Sequence, residues 1–142
     1  MDFKLLKDLR EDNDYTQSDI AEFLHINRST YANWENGETL IPLAYLDQLT
    51  LFYNTSMSYI LGLEDSYDKN NKIHKMDYDY MINNLIELKD KNNYTYKEIA
   101  SEIGVSSSCC YKYHKKQLVI PIDKLINLTK FYNINIDTLL KK

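Results

Sequence analysis

Cysteine is nearly absent from the chain: of 142 residues only Cys109 and Cys110 are cysteines, and they are adjacent. Neighbours in sequence can neither close a useful disulfide loop nor supply the spaced ligand pairs of a zinc site. They read as small side chains on a packed helix in a reducing compartment. Glycine and proline are also scarce, at three and two residues, which excludes collagenous and low-complexity classes and favours helices. No uncharged apolar run approaches the roughly 18 residues of a membrane span. The opening MDFKLLKDLR lacks the apolar core of a signal peptide, so the chain is expected to stay in the cytoplasm. His25, His74 and His114 fall in a turn, a linker and a helix end, without spaced carboxylate or cysteine partners. There is no glycine-rich phosphate loop either, so no metal, cofactor, small-molecule ligand or enzymatic activity is expected.

What is present is ordinary globular composition, 44% hydrophobic and 27% charged, arranged twice. Pro42, Leu46, Leu49, Thr50, Phe52, Tyr53 and Asn54 return 79 positions later as Pro121, Leu125, Leu128, Thr129, Phe131, Tyr132 and Asn133. Thr16, Ile20 and Ala21 return as Thr95, Ile99 and Ala100. A short-period solenoid needs three or more repeats to bury its faces, whereas two long copies make two small globular domains. The expected organisation is a first domain at 1–63, a polar, aperiodic and flexible linker at 64–77, and a second domain at 78–142.

Apolar spacing predicts five helices per copy. In the first, Phe3, Leu5, Leu6 and Leu9 line a helix from Asp2 to Asn13. Thr16, with Asp19 three residues on, caps a short second helix whose buried face is Ile20, Ala21, Phe23 and Leu24. His25 and Ile26 turn the chain, and Asn27 caps a third helix from Arg28 to Glu35, with Tyr31 and Trp34 pointing inward. Gly37 supplies a left-handed stop. Pro42 opens the fourth helix as a first-turn residue, Asn54 ends it, and Met57, Ile60 and Leu61 close the core. The second copy places its helices at 78–92, 96–103, 107–114, 122–133 and 136–141.

The spaced elements Thr16-Gln17, Ile20-Ala21, Asn27-Arg28-Ser29-Thr30-Tyr31, Trp34-Glu35-Asn36-Gly37 and Pro42 resemble the lambda-repressor-like, Cro-type (XRE) family of helix-turn-helix regulators, prokaryotic or phage. The resemblance covers residues 3–62. It implies an all-α fold of two tandem five-helix domains and a sequence-specific transcriptional regulator, a repressor, that binds double-stranded DNA. On the family's pattern Arg28, Ser29 and Asn33 match base-reading positions at the start of a helix that enters the major groove. Gln17, Thr30 and Asn36 match backbone-contacting ones. Arg10 and Glu35 match a pair that in the family forms an orienting salt bridge.

The second copy departs from that signature. Lys89 stands opposite Arg10, His114 opposite Glu35, Tyr96 opposite Gln17, and Lys116 opposite Gly37, where a left-handed backbone is strained. Ser107, Ser108 and Lys112 hold the nominal reading positions, and Lys112, Lys115 and Lys116 cluster where phosphates would lie. Charge divides the same way: residues 1–66 carry four Lys and Arg against twelve Asp and Glu, and residues 67–142 carry thirteen against nine. Asp2, Asp8, Glu11, Asp12 and Asp14 fall in or just after the first helix, away from the docking face. A division of labour follows, in which the first domain reads bases and the second adds phosphate contacts or mediates association. A homodimer and an intramolecular pseudo-dimer both remain open. The rival reading is an interaction protein of antitoxin or antirepressor type whose acidic first domain binds a basic partner.

Overall fold

The computed structural model describes residues 3–68, 70 and 72–141, and among these the chain is all-helical, with ten α-helices and no strand. The expected helix start at Asp2 and the last residue of the second domain, Lys142, lie outside the described residues. The chain divides into two compact units, 1–75 and 76–142. The first holds α1 (Lys4–Asp12), α2 (Gln17–Phe23), α3 (Arg28–Glu35), α4 (Leu43–Tyr53) and α5 (Met57–Ile60). The second holds α6 (Tyr78–Lys91), α7 (Tyr96–Ile103), α8 (Ser107–His114), α9 (Ile122–Tyr132) and α10 (Ile136–Leu140).

Side chains fix where these helices begin. The Thr16 hydroxyl accepts from the Asp19 amide at 3.1 Å while the Asp19 carboxylate accepts from the Thr16 amide at 2.8 Å, so two otherwise orphaned donors are satisfied reciprocally. Thr95 and Glu98 close the same box before α7. Asn27 caps α3 and Ser106 caps α8 through the amides of Thr30 and Cys109. Pro42, expected inside the first turn, stands before its helix, as Pro121 does before the helix expected from Ile122. Each sits one residue before its helix in extended backbone, with ψ 145° and 151°, where the missing amide hydrogen is equally harmless.

Left-handed residues fix where the helices end. Among non-glycine residues Asp14, His25, Asn54, Asn93, Lys116 and Asn133 have positive φ, and Gly37, Gly62 and Gly104 join them. Four pairs lie 79 positions apart: 14 with 93, 25 with 104, 37 with 116, and 54 with 133. Lys116 therefore takes, at φ 60°, the conformation that Gly37 takes at 81°. A side chain there costs about 1 kcal/mol. Gly37→Lys is accordingly expected to destabilise the first unit by about 1 kcal/mol, measured by denaturant unfolding followed through the fluorescence of Trp34, the chain's single tryptophan.

The core of the first unit is built on Leu6, Ile20, Tyr31, Ile41, Leu46, Leu49 and Met57, all fully buried. Small Ala21, also buried, lets α2 lie close against α3. Phe23 is not part of this core: it is 40% exposed and leans on Phe52, ring centroids 4.4 Å apart. In a helix of seven residues the inward stripe holds Ile20 and Ala21, and Phe23, two positions further on, has turned outward. The second unit buries Met81, Leu85, Ile99, Cys110, Leu125, Leu128 and Leu139. The ends of the segment read as a flexible linker are held in place. Ser58 donates to Glu64 at 3.0 Å, Tyr67 packs on Tyr59, and Asp77 caps α6 through the Tyr80 amide.

Candidate nucleic-acid interface

Arg10 and Glu35 join the end of α1 to the end of α3. The guanidinium donates from Nε to Oε2 at 2.9 Å and from Nη2 to Oε1 at 2.7 Å, a bidentate pair. Its Nη1 donates to the Tyr15 carbonyl at 3.0 Å, so Arg10 ties the end of α1 to both the α1–α2 turn and the end of α3. Arg10 is 8% and Glu35 6% exposed. Burial by itself would raise the Glu35 carboxyl, but the Arg10 hydrogen bonds and charge help outweigh it and hold the carboxyl below its ordinary value. Burial and the neighbouring Glu35 carboxylate push the Tyr31 phenol far above its own. Gln17, expected to face a phosphate, directs its amide at Glu35 Oε1 over 3.5 Å.

In front of this pair lies a groove of about 430 Å³ lined by Lys4, Lys7, Arg10, Gln17, Glu35 and Asn36. It brings Gln17 and Asn36, two of the three expected backbone-contacting positions, together with two lysines that the motif pattern missed. Helical spacing alone carried the signal, since Lys4 and Lys7 lie one turn apart on α1, on the side that leads to Arg10. Two acids accompany these cations: Glu35 in the lining, and Glu11, expected to lie away from this face, whose carboxylate stands 3.9 Å from both Lys7 Nζ and Arg10 Nη2. Asp14, Asp19 and Glu22 line a second groove with Tyr15, Phe23 and His25.

At the start of α3, Arg28 is exposed and has no partner among the described residues, and Asn33 is half-buried on the same helix. Ser29 and Thr30 are engaged within the unit. Both hydroxyls donate to the Asn27 Oδ1 that caps the helix, at 2.9 and 2.8 Å, leaving them lone pairs but no free hydrogen to offer. Asn36 accepts from the Glu38 amide through Oδ1, which leaves its amide nitrogen to face outward.

The second unit has a different cluster at the corresponding positions. Lys89 Nζ lies 4.4 Å from the Tyr96 ring centroid, and Tyr96 meets His114 edge-on at 5.2 Å. His114 is buried; its Nδ1 donates to the Cys110 carbonyl at 2.8 Å, and its Nε2 has no partner among the described residues. Cys110 is buried too, and burial pushes its thiol up to about 11, so it is inert. Ser107, Ser108, Lys112, Lys115 and Lys116 are exposed as expected. Lys116, however, pairs with Asp79 at 2.9 Å, and Lys115 lies over the Tyr111 ring.

Burial lowers the basicity of His114, and the charges of Lys89 and Lys115 lower it further, against an opposing hydrogen bond to Cys110. The folded second unit therefore binds fewer protons than the unfolded chain where imidazole ordinarily titrates. Its stability should be full above about pH 6.5 and fall as the pH drops through that value. Thermal melts of the second unit between neutral and mildly acid pH test this. The slope is expected to flatten in His114→Gln, and an unchanged slope would contradict the assignment.

Among the described residues no cluster of His, Cys, Asp and Glu could hold a metal, and no helix is long and apolar enough to cross a membrane. The profile of a helix-turn-helix family matches residues 6–60, from within α1 to the end of α5. Three curated bacterial proteins are similar to the chain. The competence pilus inhibition repressor of Acinetobacter baylyi is 33% identical over 67 residues, 47% of this chain and 61% of that protein. The uncharacterized HTH-type transcriptional regulator YobD of Bacillus subtilis is 36% identical over 63 residues, 44% of this chain and 56% of that protein. The HTH-type transcriptional regulator ImmR of Bacillus subtilis is 34% identical over 90 residues, 63% of this chain and 68% of that protein. The chain thus spans less than two thirds of the first two relatives. No solved structure matches it.

Proposed function

The chain belongs to the XRE-type helix-turn-helix family, and on that premise we propose that it is a transcriptional repressor whose first unit reads the major groove with α3. The observation that carries the reading is the separation of charge within that unit. Lys4 and Lys7 share a groove with Gln17 and Asn36, while Asp14, Asp19 and Glu22 line a different one. A net negative unit can then approach a duplex through a face where Lys4, Lys7 and Arg10 outnumber Glu35 and the neighbouring Glu11, because phosphate contacts act over about a Debye length and respond to local charge. In this reading Arg28 and Asn33 face base edges. Lys4, Lys7, Gln17 and Asn36 grip the backbone beside them, and Arg10 with Glu35 holds α1 and α3 at the angle that lets both sets reach one duplex.

The second unit is, in the same reading, a divergent copy that keeps the scaffold without a base code. Ser107 and Ser108 discriminate bases poorly, and a phosphate role would rest on Lys112, Lys115 and Lys116, the last of which would exchange its exposed pair with Asp79.

Binding of the full chain to duplex DNA as a function of salt tests the proposal. The logarithm of the affinity should fall linearly with the logarithm of salt concentration, and Lys4→Gln with Lys7→Gln should reduce that slope by about 1.8, at roughly 0.9 per phosphate contact. An unchanged slope would remove both lysines from the interface. No binding to any duplex at low salt would overturn the DNA reading and favour the antitoxin-like or antirepressor-like alternative.

A further inference from the structure

Comparing the two units position by position shows where each exposes apolar side chains that the shared scaffold does not require. The first exposes Phe23 and Leu51, whose counterparts in the second unit are Glu102 and Lys130. The second exposes Leu118 and Val119, the latter 69% exposed, where the first unit has Thr39 and a less exposed Leu40. The same fold thus tolerates charge or hydroxyl at most of these places, and the apolar choices are extra to folding. Exposed apolar patches of this kind, rimmed by polar residues, mark contact surfaces.

The two patches carry rims of opposite sign. Around Phe23 the groove, about 630 Å³, is lined by Tyr15, Asp14, Asp19, Glu22 and His25. Its aromatic floor is rigid, because Phe52 is held between Phe23 at 4.4 Å and Tyr15 at 5.1 Å. The second unit's patch is the end of a loop that leaves α8 as Lys115-Lys116-Gln117-Leu118-Val119 and folds back so that the amides of Gln117 and Leu118 donate to the Lys112 carbonyl. Of its lysines, Lys116 meets Asp79 in an exposed pair, which is weak and exchangeable.

We propose that the chain associates with a second copy of itself, the 115–119 loop of one copy seating Leu118 and Val119 on the Phe23–Phe52 surface of the other copy's first unit, with the loop lysines against Asp14, Asp19 and Glu22. Every chain carries both patches, and the proposed dimer uses both contacts, related by a twofold axis. The aromatic floor and the apolar loop tip provide the desolvated centre, and the charges provide orientation and exclude like-charged pairings. Neither α3 nor the lysine groove beside it takes part, so the contact leaves the first unit's DNA reading untouched and draws only on Lys115 and Lys116 of the second unit's phosphate-facing set.

Sedimentation equilibrium of the full chain over micromolar to millimolar concentrations tests this. The natural chain should dimerise. Phe23→Glu, which copies the residue the second unit carries at the same position, and Val119→Asp should each weaken the dimer by about tenfold or more while helical content by circular dichroism stays unchanged. An equimolar mixture of the two variants should associate more strongly than either alone, since one intact contact remains in the mixed pair. Lys115→Glu with Lys116→Glu should also dissociate the dimer, and adding Glu22→Lys should restore part of it. A natural chain that stays monomeric throughout, or a Val119→Asp chain that dimerises undiminished, overturns the proposal. A mixture no stronger than its components does the same.

Discussion

Replacing Glu35 by alanine is expected to destabilise the first unit by about 3–5 kcal/mol, the cost of leaving a buried charge without its partner. The geometry makes the loss nearly complete. Two of the three hydrogen bonds of Arg10 end on this carboxylate, and what survives is the bond to the Tyr15 carbonyl and the exposed Glu11 carboxylate at 3.9 Å, too long for a hydrogen bond and screened by water. Water does not reach Arg10 freely, since it is buried among α1, α3 and the turn between α1 and α2. Exposed Glu22 provides the comparison: Glu22→Ala should shift stability by no more than about 0.5 kcal/mol. Denaturant titration followed by Trp34 fluorescence reports the first unit directly. Equal midpoints for the two variants would show that the pair orients nothing. Acid should act in the same direction. The Glu35 carboxyl is held low, so its contribution is full above the ordinary carboxylate value and disappears as the pH falls through its lowered one. The second unit, through His114, should begin to yield at a higher pH than the first.

Much of the fold was legible in the residues because local chemistry decides it locally. Thr16 with Asp19, Asn27, Gly37 and Asn54 act within one turn of the positions they control, and the bounds of α3, α7 and α8 agree with their capping residues and apolar spacing. The inward pair Tyr31 and Trp34 followed from periodicity for the same reason. What escaped depends on which neighbour a side chain meets. Phe23 has helical spacing suited to the core, yet the stripe of a two-turn helix was already filled by Ile20 and Ala21. The hydroxyls of Ser29 and Thr30 are free to rotate, and the Asn27 oxygen one turn away is a closer acceptor than any ligand. Lys4 and Lys7 belong to no motif, and only the packing of α1 against α3 turns them into the groove with Gln17 and Asn36. In the second unit the loss of the Arg10–Glu35 pattern was visible. Its replacement by Lys89 over Tyr96 against His114 was not, since no pairwise rule of sequence joins positions 89, 96 and 114.

Arg28→Ala should separate reading from gripping. If Arg28 forks onto the two acceptors of a guanine in the major groove, its loss should cost about 1–3 kcal/mol on the site selected from random duplexes and far less on duplexes of unrelated sequence. Binding and competition on both kinds of duplex measure this. Lysine at the same position should not restore the preference, because a point charge cannot supply two parallel hydrogen bonds in one plane. The expectation rests on the placement of the side chain. Arg28 stands exposed at the first position of α3, where the helix start can approach base edges, and it is engaged by nothing within the unit that binding would have to break. Lys4 and Lys7 behave oppositely on the same argument, since their removal should weaken every duplex alike. Should Arg28→Ala lower affinity by one factor on all sequences, Arg28 would be a backbone contact, and the reading of bases would have to come from Asn33 and the lone pairs of Ser29.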